Sequence, residues 1–243
     1  MPKWPFFVLG GLLLVMLLCG GVVFGVYYLV KSAVSNVVSK IPAPAGTHEA
    51  TDAEITDALT EVKSPNKFFA LARITGYKPK EDRRREVCQV LEPLLSDRDT
   101  TVQSQAAQAL AIWGTEDSVP ALTKALQSND FFVRTEVIKA LGEIKSEKAA
   151  GPLAAQLSDA SYRQGAADAL KKTGAKAEKE VVKYLGNTQN DQGGRQEACN
   201  ILAEIGTKNG GSIPALQKVV KENNVFLTNA ANTAITSINN SRR

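Results

Sequence analysis

The sequence is short of the residues that most enzymes use for catalysis. Its 243 residues include one histidine, His48, and three cysteines. A single histidine excludes a multi-histidine metal site and a Ser-His-Asp triad within the folded part. Cys88 and Cys199 fall on apolar helix faces far apart in the chain, which predicts two buried free thiols. The sequence therefore predicts no catalytic, cofactor-binding or metal-binding residues, and a protein that is not an enzyme.

Acidic residues are missing from the first 48 positions. Lys3, Lys31 and Lys40 precede the first acid, Glu49, although the whole chain holds 29 basic and 25 acidic residues. The rest of the chain is therefore close to neutral. Because a dedicated nucleic-acid binder needs a large basic surface, no nucleic-acid partner is predicted.

Charged residues are also absent from Phe6 to Val30. As a helix rising about 1.5 Å per residue, this run is long enough to cross a hydrocarbon core of about 30 Å. The apolar part of a signal peptide is only about 7–15 residues long, so the length favours an uncleaved anchor. Gly21 and Gly25 have the spacing that lets two membrane helices pack closely, which predicts weak self-association. The protein is predicted to be a single-pass membrane protein. The side of its soluble domain is undetermined, because the flanking lysines are nearly balanced.

The sequence divides into four predicted regions. They are a short tail (1–5), the transmembrane helix (6–30), a linker (31–50) and an α-helical domain (51–243). Thr51 and Glu54 have the spacing of a capping box, which predicts a capping helix over 51–62. Repeats are expected from about residue 65.

A leucine-centred phrase recurs along this domain, at Leu71, Leu110, Leu141, Leu170, Leu202 and Ile235. The successive steps are 39, 31, 29, 32 and 33 residues, which is typical of stacked-repeat solenoids. The phrase predicts first-type helices near 65–75, 100–113, 131–144, 160–172, 193–205 and 225–238. Second-type helices are expected between them, three of them opened by Pro120, Pro152 and Pro214.

Part of this domain resembles HEAT repeats. The residues that carry the resemblance are Asp130-Phe131-Phe132-Val133-Arg134, Ala140-Leu141-Gly142 and Gly151-Pro152-Leu153. They are closest to the short class, of about 30 residues per repeat, first noted in phycobilin lyases. The resemblance covers about 65–243. It implies an all-α fold: an α-solenoid of stacked antiparallel helix pairs, here preceded by one transmembrane helix.

A basic cluster near the start of the repeats is one candidate binding site. It consists of Lys78, Lys80, Arg83, Arg84 and Arg85. Such a cluster could contact anionic lipid headgroups. The alternative is an ordinary solvated helix start, because acidic residues interrupt the run.

A basic stripe on the second-type helices is the other candidate. Lys124, Lys183 and Lys218 each lie two residues before the last apolar residue of such a helix. With Lys179 and Lys221 they could attract an acidic protein. The alternative is that these are unrelated surface lysines.

The predicted function is a membrane-anchored scaffold or adaptor that binds a partner protein along the solenoid surface. Two alternatives stay open. One is an accessory protein of an enzyme complex related to bilin lyases, which the resemblance alone implies. The other is a structural component of a cell envelope or an assembly.

Overall fold

The structure is a computed structural model that describes residues 45–64 and 67–241. The predicted transmembrane segment, with Gly21 and Gly25, lies outside these residues. Within the described part, no helix has the length and apolarity that crossing a membrane requires.

Twelve α-helices make up the described residues. In chain order they are α1 (Asp52–Glu61), α2 (Lys67–Gly76), α3 (Glu81–Leu91), α4 (Thr100–Trp113), α5 (Val119–Ala125), α6 (Phe131–Ile144), α7 (Glu147–Ala155), α8 (Arg163–Thr173), α9 (Glu178–Gly186), α10 (Gln192–Ile205), α11 (Ser212–Val220) and α12 (Val225–Asn240). Short 3-10 segments lie at Glu92–Ser96, Glu116–Ser118, Gln156–Ser158 and Gly174–Ala177.

The helices stack as two layers of a solenoid. The first-type helices are α2, α4, α6, α8, α10 and α12, and each packs against the next in this series. The second-type helices α5, α7, α9 and α11 do the same, and the segment Glu92–Ser96 connects α3 to this layer. Five helix pairs, with α1 before them and α12 after them, therefore form a continuous array, and the predicted all-α solenoid is confirmed for the described residues.

Aspartate caps explain why two first-type helices begin where the sequence predicts. Asp99 accepts from the Thr101 N–H at 2.8 Å, and Asp130 accepts from the Val133 N–H at 3.0 Å. Each carboxylate satisfies a donor that has no partner inside the helix. The observed bounds of α4 and α6 are those predicted. The predicted capping box of α1 is also confirmed.

Of the three prolines predicted to open second-type helices, Pro120 and Pro214 lie in the first turn of their helices, and Pro152 does not. Pro152 lies inside α7, which begins at Glu147 with Ser146 as its cap. Pro120 is the second residue of α5 and Pro214 the third of α11. The first helical N–H groups lack partners in any case, so a proline is tolerated anywhere in the first turn. Only Pro152 removes a bond that the helix would otherwise make.

The core runs along the whole array. Trp113 is fully buried, and its Nε1 donates to the carbonyl of Ile74 at 2.9 Å. A Cβ on Gly142 would lie 2.7 Å from the Cβ of Ala169, so α6 and α8 approach closely only because this position is glycine. Cys88 and Cys199 are buried and free, which confirms the predicted thiols.

The last residues of the predicted linker are hydrogen-bonded to the solenoid. The Gly46 N–H donates to the Thr75 carbonyl at 2.8 Å, and the Lys78 N–H donates to the His48 carbonyl at 2.8 Å. Ala50 is buried. Residues 46–48 therefore join the array at the end of α2. They do so through backbone hydrogen bonds, which cannot be predicted from a pattern of side chains.

Candidate functional site

The first-type helices run parallel, so their ends form two separate edges of the solenoid. At one edge Arg163, the first residue of α8, pairs with Asp191, which precedes α10, at 2.7 Å. At the other, Ser237 near the end of α12 donates to the carbonyl of Ala203 near the end of α10 at 2.7 Å. We call the edge made by the first turns of the first-type helices the aromatic edge. The serine edge is made of the turns at 77–80, 114–118, 145–146, 174–177 and 206–211.

Exposed apolar side chains are concentrated on the aromatic edge. Across residues 45–64 and 67–241, every exposed large apolar side chain lies there, with between 45% and 71% of its surface accessible. They are Phe68, Phe69, Phe131, Phe132, Val225 and Phe226. The three pairs fall in the first turns of α2, α6 and α12. Neighbouring packed helices are about 8–10 Å apart, so the pairs are separated by roughly 20 and 30 Å along the edge.

The central pair belongs to an ordered aromatic group. The ring of Phe131 stacks on Tyr162, with centroids 5.5 Å apart and planes at 27°. The guanidinium of Arg134 lies over the ring of Tyr162, with its Cζ 4.5 Å from the ring centroid. Phe132 meets Phe131 edge to face and stays the most exposed of the six. The side chains around Phe132 are therefore held by contacts with one another in the unbound protein. This lowers the conformational entropy that is lost when a partner binds.

A row of arginines fastens the aromatic edge. Arg134, Arg163 and Arg195 each donate from Nε to a backbone carbonyl in the part of the chain that precedes their own helix. The acceptors are Ser128, Leu157 and Leu185, at 3.1, 2.7 and 3.0 Å. Each guanidinium also reaches an acid of the next repeat. These acids are Asp159, Asp191 and Glu222, at 3.5, 2.7 and 2.7 Å. Because the charges of these three arginines are paired, the exposed apolar side chains are the groups most available to a binding partner on this edge.

Serine-glutamate hydrogen bonds fasten the serine edge in the same way. A serine at the start of one second-type helix donates to a glutamate of the preceding repeat. The pairs are Ser118–Glu92, Ser146–Glu116 and Ser212–Glu178, at 2.7, 2.8 and 2.5 Å. Ala177 precedes α9 and has no side-chain oxygen, so the row is interrupted there.

Glu178 organises the last turn of this edge. It is 5% exposed. It accepts from the Thr207 N–H at 3.1 Å and from the Thr207 hydroxyl at 2.9 Å, in addition to Ser212. A Cβ on Gly210 would collide with its carboxylate. The loop 206–211 is therefore wrapped around one buried acid, which accounts for the glycine.

The basic cluster lies at the serine edge, but most of its charge is paired. Lys78 bonds Glu49 at 2.6 Å and Lys80 bonds Asp52 at 3.0 Å. The two following arginines pair with Glu86 and Glu81, at 2.8 and 2.9 Å. Arg84 also donates to the carbonyls of Trp113 and Gly114. Only Arg85 has no ion-pair partner in the described residues. The cluster mainly ties α3 to α1 and α4, and its lipid-binding role stays a prediction.

The basic stripe is exposed as the sequence suggests. Lys124, Lys183 and Lys218 lie on α5, α9 and α11, and their side chains are accessible, as are those of Lys179 and Lys221. Lys183 approaches Glu180 at 3.5 Å; for the other four no ion pair forms within the described residues. Ala155 is exposed at the equivalent place on α7. No contact to a partner tests the stripe, and it also stays a prediction.

The two buried cysteines are poorly placed to react. Burial raises the pKa of the Cys88 thiol and that of Cys199 to about 12, so both stay protonated at neutral pH and are poor nucleophiles. In residues 45–64 and 67–241, no group of three or more His, Cys, Asp or Glu is placed to hold a metal ion.

The sequence of the central repeats matches a known family. Residues 89–171 match the family model described as HEAT repeats. The match supports HEAT repeats for this stretch. It spans the end of α3 to the end of α8, and therefore includes the Phe131–Tyr162 group. The closer resemblance to the phycobilin-lyase class stays a prediction.

Several solved structures are similar to this chain. One engineered protein has 24% sequence identity and a TM-score of 0.46, covering 79% of this chain and 100% of its own. A second has 22% identity and a TM-score of 0.45, covering 78% and 97%. A designed armadillo repeat protein has 19% identity and a TM-score of 0.44, covering 76% and 99%. Among curated proteins, none matches the sequence.

The exposed aromatic pairs are not predicted from the sequence, where Phe131 and Phe132 enter only through the family resemblance. An adjacent apolar pair is easily taken for core. The available signal is position: Phe131 and Phe132 directly follow the cap Asp130, before the first buried residue, Val133. In α6 these two side chains precede the packed part of the helix, which leaves much of their surface in solvent.

Proposed function

We propose that the protein is a membrane-anchored scaffold that binds another protein along the aromatic edge of its solenoid. The observation that carries this proposal is the segregation of exposed apolar side chains. The exposed apolar side chains form three separate pairs on one edge, and apolar groups gathered on one surface mark protein-binding sites. Aromatic residues and arginine are the side chains that most often dominate protein interfaces, and Phe131, Phe132 and Arg134 supply them here.

The spacing of the pairs indicates an elongated partner. Sites roughly 20 and 30 Å apart are too distant for one apolar side chain, so a partner must run along the edge to use them together. Several weak contacts on one rigid array then act jointly, because binding at one site raises the effective concentration at the next. No chemical step is involved in this mechanism.

Membrane attachment through Phe6–Val30 is the second part of the proposal. Its support is the uncharged run itself, which has the length of a membrane-spanning helix. Confinement to a bilayer would raise the effective concentration of the solenoid for partners in the same membrane. The basic stripe offers a second protein-binding surface to compare with the aromatic edge.

The test uses the full chain in native membranes, with crosslinking followed by identification of the proteins attached. Replacing Phe132→Ser together with Phe226→Ser is expected to lower the yield of the attached partner at least about tenfold. The melting temperature should change little, since both side chains are exposed.

The matched variant is Lys183→Glu with Lys218→Glu, which alters the basic stripe and leaves the aromatic edge intact. It should retain the partner. Loss of the partner in this variant but not in the serine variant would move the binding surface to the second-type helices. Retention in both would overturn binding through either surface.

A further inference from the structure

We propose that the serine edge contacts anionic lipid headgroups, with Lys145, Lys176 and Lys208 as the contact residues. This inference rests on the membrane attachment in the proposed function. It assigns the two edges to different surroundings, with lipid at one and a protein partner at the other.

The first observation is where the chain joins the solenoid. Gly46 and His48 are hydrogen-bonded to the end of α2 and to the turn that follows it, at the serine edge. Any tether from a membrane-spanning segment at 6–30 must therefore arrive at this edge. Fourteen residues, 31–44, separate the two, and their fully extended reach is about 50 Å.

The second observation is the charge of the turns. Lys145, Lys176 and Lys208 lie in three successive turns of the serine edge, and all three are exposed. None of them forms an ion pair within the described residues, in contrast to four of the five members of the basic cluster. Beside the three turns that carry these lysines, Glu147 is the exposed acid that forms no ion pair within the described residues, whereas Asp82 and Asp117 lie beside the two earlier turns.

The chemistry favours lipid headgroups over a folded acidic protein. Anionic lipids attract lysines near the membrane surface without requiring a shaped pocket. The three lysines sit on separate turns and have no aromatic neighbour among the exposed residues of this edge. That pattern suits a diffuse layer of negative charge, whereas the ordered aromatic group on the other edge suits a protein.

The test places a fluorescent label on each edge of the full chain. Asn209→Cys labels the serine edge and Asn129→Cys labels the aromatic edge; both positions are exposed. Cys19→Ala removes the third cysteine of the sequence, and Cys88 and Cys199 are buried. The chain is reconstituted into phosphatidylcholine vesicles, with or without roughly one-third phosphatidylserine, that carry a nitroxide headgroup quencher. Flotation of the vesicles reports membrane attachment separately.

Quenching of the Asn209→Cys label is expected to rise when phosphatidylserine is present, and that of the Asn129→Cys label is not. Lys145→Glu, Lys176→Glu and Lys208→Glu together should lower the ratio of docked to undocked solenoid at least about tenfold. About 0.5 M salt should have the same effect, because it screens exposed charges. The charge-matched variant Lys139→Glu, Lys183→Glu and Lys218→Glu should behave as the parent.

Chain that does not float with the vesicles contradicts the membrane attachment itself. Chain that floats but shows quenching indifferent to phosphatidylserine, or equal losses in the two triple variants, contradicts the lipid contact and leaves the attachment standing. Stronger quenching of the Asn129→Cys label would reverse the assignment of the edges.

Discussion

The aromatic edge and the serine edge belong to the same helices yet present different chemistry. On the aromatic edge, arginine-carboxylate pairs hold the repeats together and six large apolar side chains face solvent. On the serine edge, neutral serines donate to glutamates, and the exposed residues include lysines that form no ion pair with any other described residue. On each edge the same kind of polar contact joins successive repeats. The exposed side chains do not take part in these contacts, so they can differ from repeat to repeat. The difference shows that a regular stack can carry two unrelated surfaces.

The largest expected effect comes from the buried acid of the serine edge. Glu178→Ala should lower the free energy of unfolding by about 3 kcal/mol, because Thr207 and Ser212 lose the acceptor of buried donors. Chemical denaturation of the full chain in detergent micelles, followed by circular dichroism, measures this. Glu147→Ala is the control, since Glu147 starts α7 but is exposed, and it should cost under about 0.5 kcal/mol. Equal losses would show that Glu178 does not organise the loop.

A smaller loss of unfolding free energy is expected from replacing the arginines of the aromatic edge, and it should differ between two of them. Arg195→Ala should destabilise the chain by about 2 kcal/mol, because the carbonyl of Leu185 and the carboxylate of Glu222 lose a buried donor. Arg163→Ala removes the same type of contacts from a more exposed place, where an ion pair contributes about 0–1 kcal/mol. The two side chains are 6% and 25% exposed. Thermal unfolding of both variants tests the order, and a larger loss for Arg163→Ala would contradict it.

Thiol labelling compares the buried environments of the two distant repeats. With Cys19→Ala as background, Cys88 and Cys199 should react with a maleimide at pH 8 far more slowly than an exposed cysteine, since burial keeps both thiols protonated. Cys199 should be the slower, because its pKa is raised to about 12. Mass spectrometry of the labelled peptides gives both rates. Rapid labelling of either thiol would mean that its repeat opens in solution.

The smallest effect is a loss of order at the N-terminal end in acid. Hydrogen bonds and nearby lysines lower the pKa of Glu49 and Asp52, and the Thr51 hydrogen bonds lower that of Glu54. An acid whose pKa is lower in the folded state stabilises it at higher pH, and this contribution disappears as pH falls below about 4. Hydrogen exchange of α1 should therefore quicken in acid before that of α6. Simultaneous loss of protection in both helices would contradict this order.

Much of the array could be predicted from the sequence because stacked repeats are governed by local patterns. The recurrence at Leu110 and Leu141 predicted the bounds of α4 and α6 that the structure shows. Pro152 was misplaced because a proline at a helix start and one inside a short helix look alike in sequence. The pairing of Lys78 and Lys80 with acids nearly thirty residues earlier depends on tertiary contacts, which no local pattern contains.

The candidate surfaces were less accessible to prediction than the fold. Lysines are recognised as exposed wherever they occur, so the basic stripe could be named from spacing alone. Exposure of Phe132 depends on which part of α6 the neighbouring helices cover, and that is a property of the stack. Which side chains a solenoid exposes therefore has to be determined from the stacked structure, even when each repeat can be recognised in the sequence.

The length of the first-type helices has a consequence for distance. Helix α4 has 14 residues, which at about 1.5 Å per residue separates the two edges by roughly 21 Å. A protein bound at the aromatic edge would therefore lie at least roughly 21 Å from the edge at which residues 46–48 join the solenoid. The number of repeats sets how wide such a platform is, while helix length alone sets its height. Lengthening the helices by one turn would raise the bound protein by about 5 Å, with no change in the chemistry of either edge.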